Sequence, residues 1–166
     1  MITDLVQIRI LGEKKREENE RFRRHLKRHD HSDRILRRVS EEVEQAIDCT
    51  TCANCCRVAT VRLTERDVER MSREFRITIP RFLEDFTLET EEGRILKKTQ
   101  TGCTFLTGNL CSVYESRPDH CKRFPHVVRG PGSIVSRMWE FVDRACYCPI
   151  VYNTLEAFKK QTGFSR

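Results

Sequence analysis

The sequence lacks any long apolar run. Its 166 residues contain no stretch that approaches the ~20 consecutive apolar residues of a membrane-spanning helix. Hydrophobic residues make up only 38% of the chain, charged residues make up 34%, and the mean hydropathy is −0.59. The first residues also lack a basic segment followed by an apolar one, which is the pattern of a secretory signal peptide. We therefore expect a cytoplasmic protein with no membrane partner.

Glycine is scarce and scattered. None of the seven Gly residues forms a Gly-rich loop suited to a nucleotide-type cofactor such as S-adenosylmethionine. No local Ser/His/Asp signature of nucleophilic catalysis is present. Trp139 and Phe141 are predicted to be core aromatics and not a base-stacking platform. The sequence therefore predicts no nucleotide-type cofactor and leaves catalytic residues unassigned.

The positive charge is modest and includes one basic segment. Lys and Arg outnumber Asp and Glu by 31 to 25, and residues Lys14 to Arg38 alone hold 11 basic and 5 acidic residues. This segment is a candidate surface for nucleic acid or an acidic protein. A mixed Glu/Arg run is, however, also typical of a solvated helix face, and no aromatic residues interleave with the charges.

Residues 13–47 contain no Gly or Pro, and their apolar side chains recur every three or four residues. This spacing predicts either one long helix or a second helix that begins at Ser32. We therefore predict a charged helical extension over residues 1–48 and a second domain over residues 49–166. The predicted fold class is α+β, a small irregular domain organised by metal, with short helices and hairpins.

The second domain shows a series of short elements. Residues 57–63 alternate and are rich in Val, which predicts a strand, and Thr64 begins a capping box that opens a helix through Phe75. Thr78-Ile79-Pro80 opens another helix, with Pro in the first turn. Hairpins are predicted over 87–98 and 103–114, and a closing helix over 150–161.

Cysteine, by contrast, is frequent and clustered. Four of the nine Cys lie within eight residues, as Cys49-x2-Cys52-x2-Cys55-Cys56. A single Cys is often a small buried hydrophobe, and a secreted protein would use Cys in disulfides, but clustering in a reducing compartment favours metal binding. Thiolates select Zn or iron–sulfur clusters over Mg or Ca. The adjacent thiols of Cys55 and Cys56 do not easily reach one mononuclear site.

Further thiols follow along the chain. Cys103 and Cys111 are predicted to lie side by side across the second hairpin, and Cys121 follows a short turn. A single four-ligand site is expected to combine the first Cys cluster with these later residues, because such a site crosslinks distant segments and makes metal-binding energy folding energy. Cys146-x-Cys148-Pro149 supplies the last candidate ligands.

Several short motifs together resemble one known family. They are the cluster Cys49 to Cys56, Cys103-Thr104-Phe105-Leu106, Leu110-Cys111-Ser112-Val113-Tyr114, Arg117-Pro118 and Cys121-Lys122-Arg123-Phe124-Pro125. The combined pattern, over roughly residues 49–149, resembles the cysteine-cluster (CxxCxxCC) family of zinc- or iron-chelating domains, which includes the domain of flagellin lysine N-methylases. The resemblance implies Zn or an iron–sulfur cluster bound by Cys49, Cys52, Cys55, Cys56, Cys103, Cys111, Cys121 and Cys148. Cys146 is additional.

From these observations we expect one of three functions. The first is a metal-binding protein with a structural or electron-transfer role. The second, implied by the methylase resemblance, is a metal- or cluster-dependent enzyme that modifies a protein partner. The third is an adaptor that binds nucleic acid or an acidic protein through Lys14 to Arg38.

Charged and titratable residues surround Cys121 in the sequence. Arg117 and Arg123 are predicted either to lie beside an anionic cofactor and lower its negative charge or to bind a substrate anion. Arg117 is equally well placed to pair with a carboxylate or to cap a turn. His120 and His126 are alternative ligands. The His25-x3-His29-x-His31 spacing suits a divalent metal on a helix surface, but the basic surroundings and the lack of an acidic third ligand at helical spacing disfavour it.

Overall fold

The computed structural model describes residues 1–29 and 31–164. Within this part the chain is mixed α+β, as predicted, with helices and short antiparallel strand pairs. It divides into two compact units: unit 1 comprises residues 1–48 and 125–166, and unit 2 comprises residues 49–124. The predicted boundary at residue 48 coincides with a unit boundary, but residues 125–166 group with the N-terminal helices. The predicted domain over 49–166 therefore spans residues of both units.

Unit 1 is helical. Its elements are α1 (Leu5–Lys14), α2 (Arg16–Arg28), α3 (Asp33–Gln45), α9 (Ile134–Arg144) and α10 (Pro149–Gln161). Helix α9 contacts α2, α3 and α10, and α10 also contacts α1 and α3. The fully buried side chains include Phe22, Leu36, Phe141, Leu155 and Phe158. Burial of these large apolar side chains is what holds the helices together.

The helix boundaries in unit 1 follow local signals. Helix α3 begins after Ser32, so the second of the two predicted helix arrangements is confirmed; Asp30 lies outside the described residues. The closing helix is also confirmed as α10. Helix α9 was not predicted, although the Ser133 hydroxyl caps it by accepting a hydrogen bond from the Ser136 N–H at 3.1 Å. Phe141 is a core residue as predicted, whereas Trp139 is 61% exposed because it lies on the outer face of α9.

Unit 2 combines short helices with three hairpins. Its elements are α4 (Cys49–Cys52), α5 (Asn54–Val58), α6 (Glu65–Phe75), α7 (Ile79–Phe86), β1 (Thr87–Thr90), β2 (Gly93–Leu96), β3 (Lys98–Thr99), β4 (Gly102–Cys103), β5 (Leu106–Thr107), β6 (Leu110–Cys111) and α8 (Asp119–Arg123). Each strand pairs only with its sequence neighbour, as β1–β2, β3–β4 and β5–β6. The core comprises Val61, Val68, Met71, Phe82, Leu96, Phe105 and Val113.

The sequence predicted much of unit 2, with two corrections. The capping box at Thr64, helix α7 and the β1–β2 hairpin are confirmed. The predicted strand over 57–63 is wrong at its start, because Asn54–Val58 is helical. Only residues 61–63 lie against β2, through a bridge between Arg62 and Ile95 and two flanking backbone hydrogen bonds. The pairing of Cys103 with Cys111 is also wrong. The chain makes two successive hairpins, so Cys103 pairs with Lys98 and Cys111 with Leu106.

No helix in the described ranges is both long enough and apolar enough to cross a membrane.

Candidate metal centre

The first Cys cluster forms two consecutive helical turns, α4 and α5. Ala53 links them in the left-handed backbone region, with φ of 48°. The Ala53 N–H donates to the Cys49 carbonyl at 3.2 Å, and the Cys56 N–H donates to the Ala53 carbonyl at 3.1 Å. A left-handed residue reverses the local direction of the chain and is uncommon for alanine. Ala53 therefore marks the break between α4, which holds Cys49 and Cys52, and α5, which holds Cys55 and Cys56.

Strand β4 passes directly against α5. A Cβ atom at Gly102 would stand 2.7 Å from the Arg57 Cα and 2.9 Å from the Cys56 carbonyl oxygen, and Gly102 has φ of +130°. Only glycine combines this backbone conformation with so close an approach. Cys103 follows immediately in the chain, so the contact at Gly102 brings Cys103 beside Cys56.

Cys111 and Cys121 come from two further elements, β6 and α8. Together with Cys103, both are half-buried and pack against the hydrophobic core of unit 2. Cys121 is within electrostatic range of Cys56, Cys103 and Cys111. Four thiols from α5, β4, β6 and α8 are thereby gathered in one region, which we call the four-thiol group.

Burial raises the pKa values of three of these thiols, and so disfavours their ionised forms. Burial raises the pKa of Cys121 to about 12, and the charges of Cys103, Cys56 and Cys111 act in the same direction. Burial also raises the pKa values of Cys103 and Cys111, although the backbone amides of Phe105 and Val113 hydrogen-bond to them and oppose the shift. Several thiolates so close together repel one another unless a cation lies between them.

Cys56 is the exception in the four-thiol group. A hydrogen bond from Cys55 lowers the pKa of Cys56 to about 7; burial opposes the shift and the charge of Arg57 supports it. Cys56 is therefore the thiol of the group that ionises first. A thiolate is the form that binds metal, so Cys56 is the thiol of this group whose ionisation is most favourable for binding one.

The donor chemistry fits zinc or iron. All four donors are sulfur, they are partly shielded from solvent, and amide N–H groups are already aimed at two of them. Within residues 1–29 and 31–164, however, no three His, Cys, Asp or Glu side chains stand in the arrangement of a formed metal site. The four thiols thus share a region without converging on one point.

A family model matches residues 48–149, which is more than half of the chain, and describes CxxCxxCC, a putative zinc- or iron-chelating domain. The chain belongs to the CxxCxxCC family. Searches among curated proteins and among solved structures found no match.

The eight Cys residues predicted as ligands do not all lie in one place. Cys56, Cys103, Cys111 and Cys121 form the four-thiol group, and Cys55 hydrogen-bonds to Cys56. Cys49 is exposed and Cys52 is half-buried; both lie in α4, before the reversal. Cys148 belongs to unit 1, where it is buried at the start of α10. The assignment of the eight residues as ligands stays a prediction.

The two arginines predicted beside the cofactor have different surroundings. The Arg117 guanidinium stacks over the Tyr114 ring at 3.7 Å, and its positive charge opposes the rise in pKa of Cys111 and Cys121. Arg123 lies on the exposed side of α8, 3.9 Å from the Asp119 carboxylate. Arg117 is thus electrostatically coupled to the four-thiol group.

The two alternative histidine ligands lie in different units. His120 is in α8, next to Cys121 in the chain. His126 is buried in unit 1, with its Nδ1 3.8 Å from the Glu140 carboxylate.

Arg57 is a positioning residue that the sequence analysis missed. Its guanidinium donates to the Cys52 carbonyl at 3.2 Å, to the Gly108 carbonyl at 3.0 Å and to Asn109 Oδ1 at 2.6 Å. The Asn109 amide in turn donates to the Thr51 carbonyl at 3.0 Å. These bonds tie the β5–β6 turn to the first Cys cluster. The sequence signal was an arginine directly after the Cys55–Cys56 pair.

A second positioning pair was also missed, at the start of α6. Asp67, whose side chain is 1% exposed, accepts hydrogen bonds from the backbone N–H groups of Thr64 and Asp119, both at 3.0 Å. Arg70 forms an ion pair with Asp67 and donates to the Arg117 carbonyl at 3.1 Å. Together they fix the beginning of α8 and therefore the position of Cys121.

Proposed function

We propose that this CxxCxxCC protein holds a metal centre, Zn or an iron–sulfur cluster, whose ligands include Cys56, Cys103, Cys111 and Cys121. The gathering of these thiols from four separate elements carries the proposal. A cation placed among them would replace the mutual repulsion of the thiolates with attraction and lower all of their pKa values.

The first role we assign to the centre is structural. The strands of unit 2 are only two to four residues long, and each sheet has two strands. An isolated hairpin is marginally stable, so these hairpins depend on what they pack against. A metal bound by β4, β6, α5 and α8 would crosslink the hairpins to the helices, and its binding energy would be folding energy.

Metal binding on this scaffold requires a local closure. Because the sulfurs do not converge on one point, we expect the side chains and the short β4 and β6 segments to shift when the ion binds. Cys55, which already hydrogen-bonds to Cys56, is positioned to join the ligand set of a centre with more than one metal ion. A mononuclear zinc site would need only the four-thiol group.

Metal analysis and the absorption spectrum of anaerobically purified protein test the proposal. Stoichiometric zinc in colourless protein identifies a structural zinc site, whereas iron with inorganic sulfide identifies a cluster and adds an electron-transfer role. Cys121→Ser and Cys103→Ser should each lose most of the metal. Cys146→Ser is the matched control, because Cys146 lies in unit 1 beside Arg16, 3.3 Å from its guanidinium, and should keep it. A folded protein purified without metal would refute the proposal.

Two further roles stay predictions. They are an enzyme that acts on a protein partner and an adaptor that uses residues Lys14 to Arg38.

A further inference from the structure

Three histidines gather at the end of α2, outside the residues that the family model matches. The ring centroids of His25 and His29 lie 4.3 Å apart, those of His25 and His31 lie 5.6 Å apart, and those of His29 and His31 lie 6.3 Å apart. His29 is the C-cap of α2, and His31 lies in the connection to α3. The helical spacing of His25 and His29 places their rings together, and the ring of His31 lies near both.

Two ring nitrogens of this cluster are without a partner. The Nε2 atoms of His25 and His31 are shielded from solvent and have no hydrogen-bond partner among the described residues. Buried polar atoms are normally satisfied, and those that are not call for a ligand, a water molecule or an ion. The rings of Phe22 and Phe164 flank His25, with centroids 6.3 and 5.2 Å from its own, and provide an apolar backing.

We infer that His25, His29 and His31 form a binding site for a divalent transition-metal ion such as Zn²⁺. A ring nitrogen binds such an ion at about 2.0–2.1 Å, which places the centroids of two rings on one ion about 4.5–5.2 Å apart. Of the three observed separations, 4.3 Å lies just below this range, and 5.6 and 6.3 Å lie above it, so the rings are near one another but must shift to share an ion. The site is not yet closed, but His29 is exposed, so its ring has room to turn toward the other two.

The donor that the cluster offers is the imidazole nitrogen, which binds metal in its neutral form. The basic residues nearby on α2, among them Arg24, Lys27 and Arg28, are exposed, so solvent and salt screen their repulsion of an incoming cation. Imidazole also suits Zn²⁺, Ni²⁺ and Cu²⁺ better than it suits Mg²⁺ or Ca²⁺.

This site is independent of the four-thiol group, and the experiment must observe it separately. Nitrogen-15 correlation spectra of the histidine rings, recorded on the full chain as purified while Zn²⁺ is added, report each imidazole directly. The ring resonances of His25, His29 and His31 should shift together and saturate with one ion. Those of His120 and His126 should not follow the same titration.

One variant tests the site and a second serves as its control. His29→Gln removes an exposed ligand and should weaken Zn²⁺ binding at this site at least about ten-fold. Arg28→Gln changes the neighbouring exposed residue and should leave binding the same or slightly tighter. The inference is overturned if none of the three ring resonances responds to Zn²⁺, or if both variants weaken binding equally.

Discussion

Gly102 lies so close to Arg57 that a Cβ atom at Gly102 would stand only 2.7 Å from the Arg57 Cα. The backbone φ of Gly102, +130°, is also one that other residues rarely adopt. This contact packs β4 against α5. Because Cys103 follows Gly102 in the chain, it also places Cys103 beside Cys56.

Gly102→Ala should therefore damage the metal centre as well as stability. The added methyl group meets backbone, which cannot move aside as a flexible side chain can, and we expect a loss of about 1–3 kcal/mol in the free energy of unfolding. Metal content should fall with it. Urea unfolding and metal analysis measure the two effects.

Gly93→Ala is the control for Gly102→Ala. Gly93 also has a positive φ, +105°, but a Cβ there would meet nothing within 4 Å. It should lose some stability through backbone strain and keep its metal. Equal metal loss in both variants would show that strain, and not the approach to α5, governs the centre.

The second prediction concerns Asp67, which is buried where α6 meets the start of α8. Burial opposes its ionisation, but hydrogen bonds from Thr64 and Asp119, together with Arg70, more than compensate and hold its pKa below the usual value. A lowered pKa in the folded state stabilises the protein above the pKa of the unfolded chain, about 3.9. That contribution disappears as the pH falls through the lower, folded-state pKa.

Asp67→Asn should thus destabilise the protein by about 1–3 kcal/mol at neutral pH, because buried donors lose their charged acceptor. It should also flatten the loss of stability on acidification below about pH 4. Denaturant unfolding at a series of pH values from about 3 to about 7 measures both effects. Glu65→Gln, an exposed change in the same helical turn, should behave like the wild type. An unchanged acid profile in Asp67→Asn would contradict the assignment.

The third prediction concerns thiol reactivity once the metal has been removed. A thiolate reacts with alkylating reagents and a thiol does not. At about pH 7.5 Cys56, with a pKa of about 7, should be modified well before Cys121, with a pKa of about 12. Brief alkylation followed by mass spectrometry measures the order.

Bound metal should protect both Cys56 and Cys121 from alkylation. Lowering the pH below about 7 should slow the reaction at Cys56, because its thiolate fraction falls. Equal rates at the two residues in the metal-free protein would contradict the electrostatic description of the four-thiol group.

The sequence predicted those helices and turns that short local sequence signals determine. The capping box at Thr64, the proline at the start of α7 and the turn at Glu91-Glu92 each specify their element within a few residues. The start of the predicted strand over 57–63 was wrong because Asn54–Val58 forms the helical turn α5, in which Arg57 makes long-range hydrogen bonds to Gly108 and Asn109. Periodicity carries no information about such bonds.

The candidate site was predictable in composition but not in geometry. Cysteine spacing identified the thiols, and the expectation that early and late Cys residues would meet agrees with the position of Cys56 near Cys121. It did not indicate that Cys103 and Cys111 belong to different hairpins, because the turn before Gly102 depends on contact with α5. The sequence also singled out the spacing of His25, His29 and His31, but it did not indicate that all three imidazole rings lie together.

The last prediction tests where the metal centre stabilises the chain. If its ligands are the four-thiol group, removal of the metal should increase amide hydrogen exchange throughout Cys49–Phe124, most of all in β3 to β6, where few backbone hydrogen bonds protect the strands. Peptides from α1, α2 and α3 serve as internal controls and should change little. Exchange measured by mass spectrometry resolves both groups.

The same exchange experiment tests the role of Cys148. If this thiol is also a ligand, as the family pattern implies, the first turn of α10 should lose protection when the metal leaves, although it belongs to unit 1. If Cys148 is only a buried side chain, α10 should stay protected and Cys148→Ala should keep its metal. A matching change in α10 and in β4 would extend the ligand set beyond the four-thiol group, whereas unchanged exchange in both would remove the structural role of the metal.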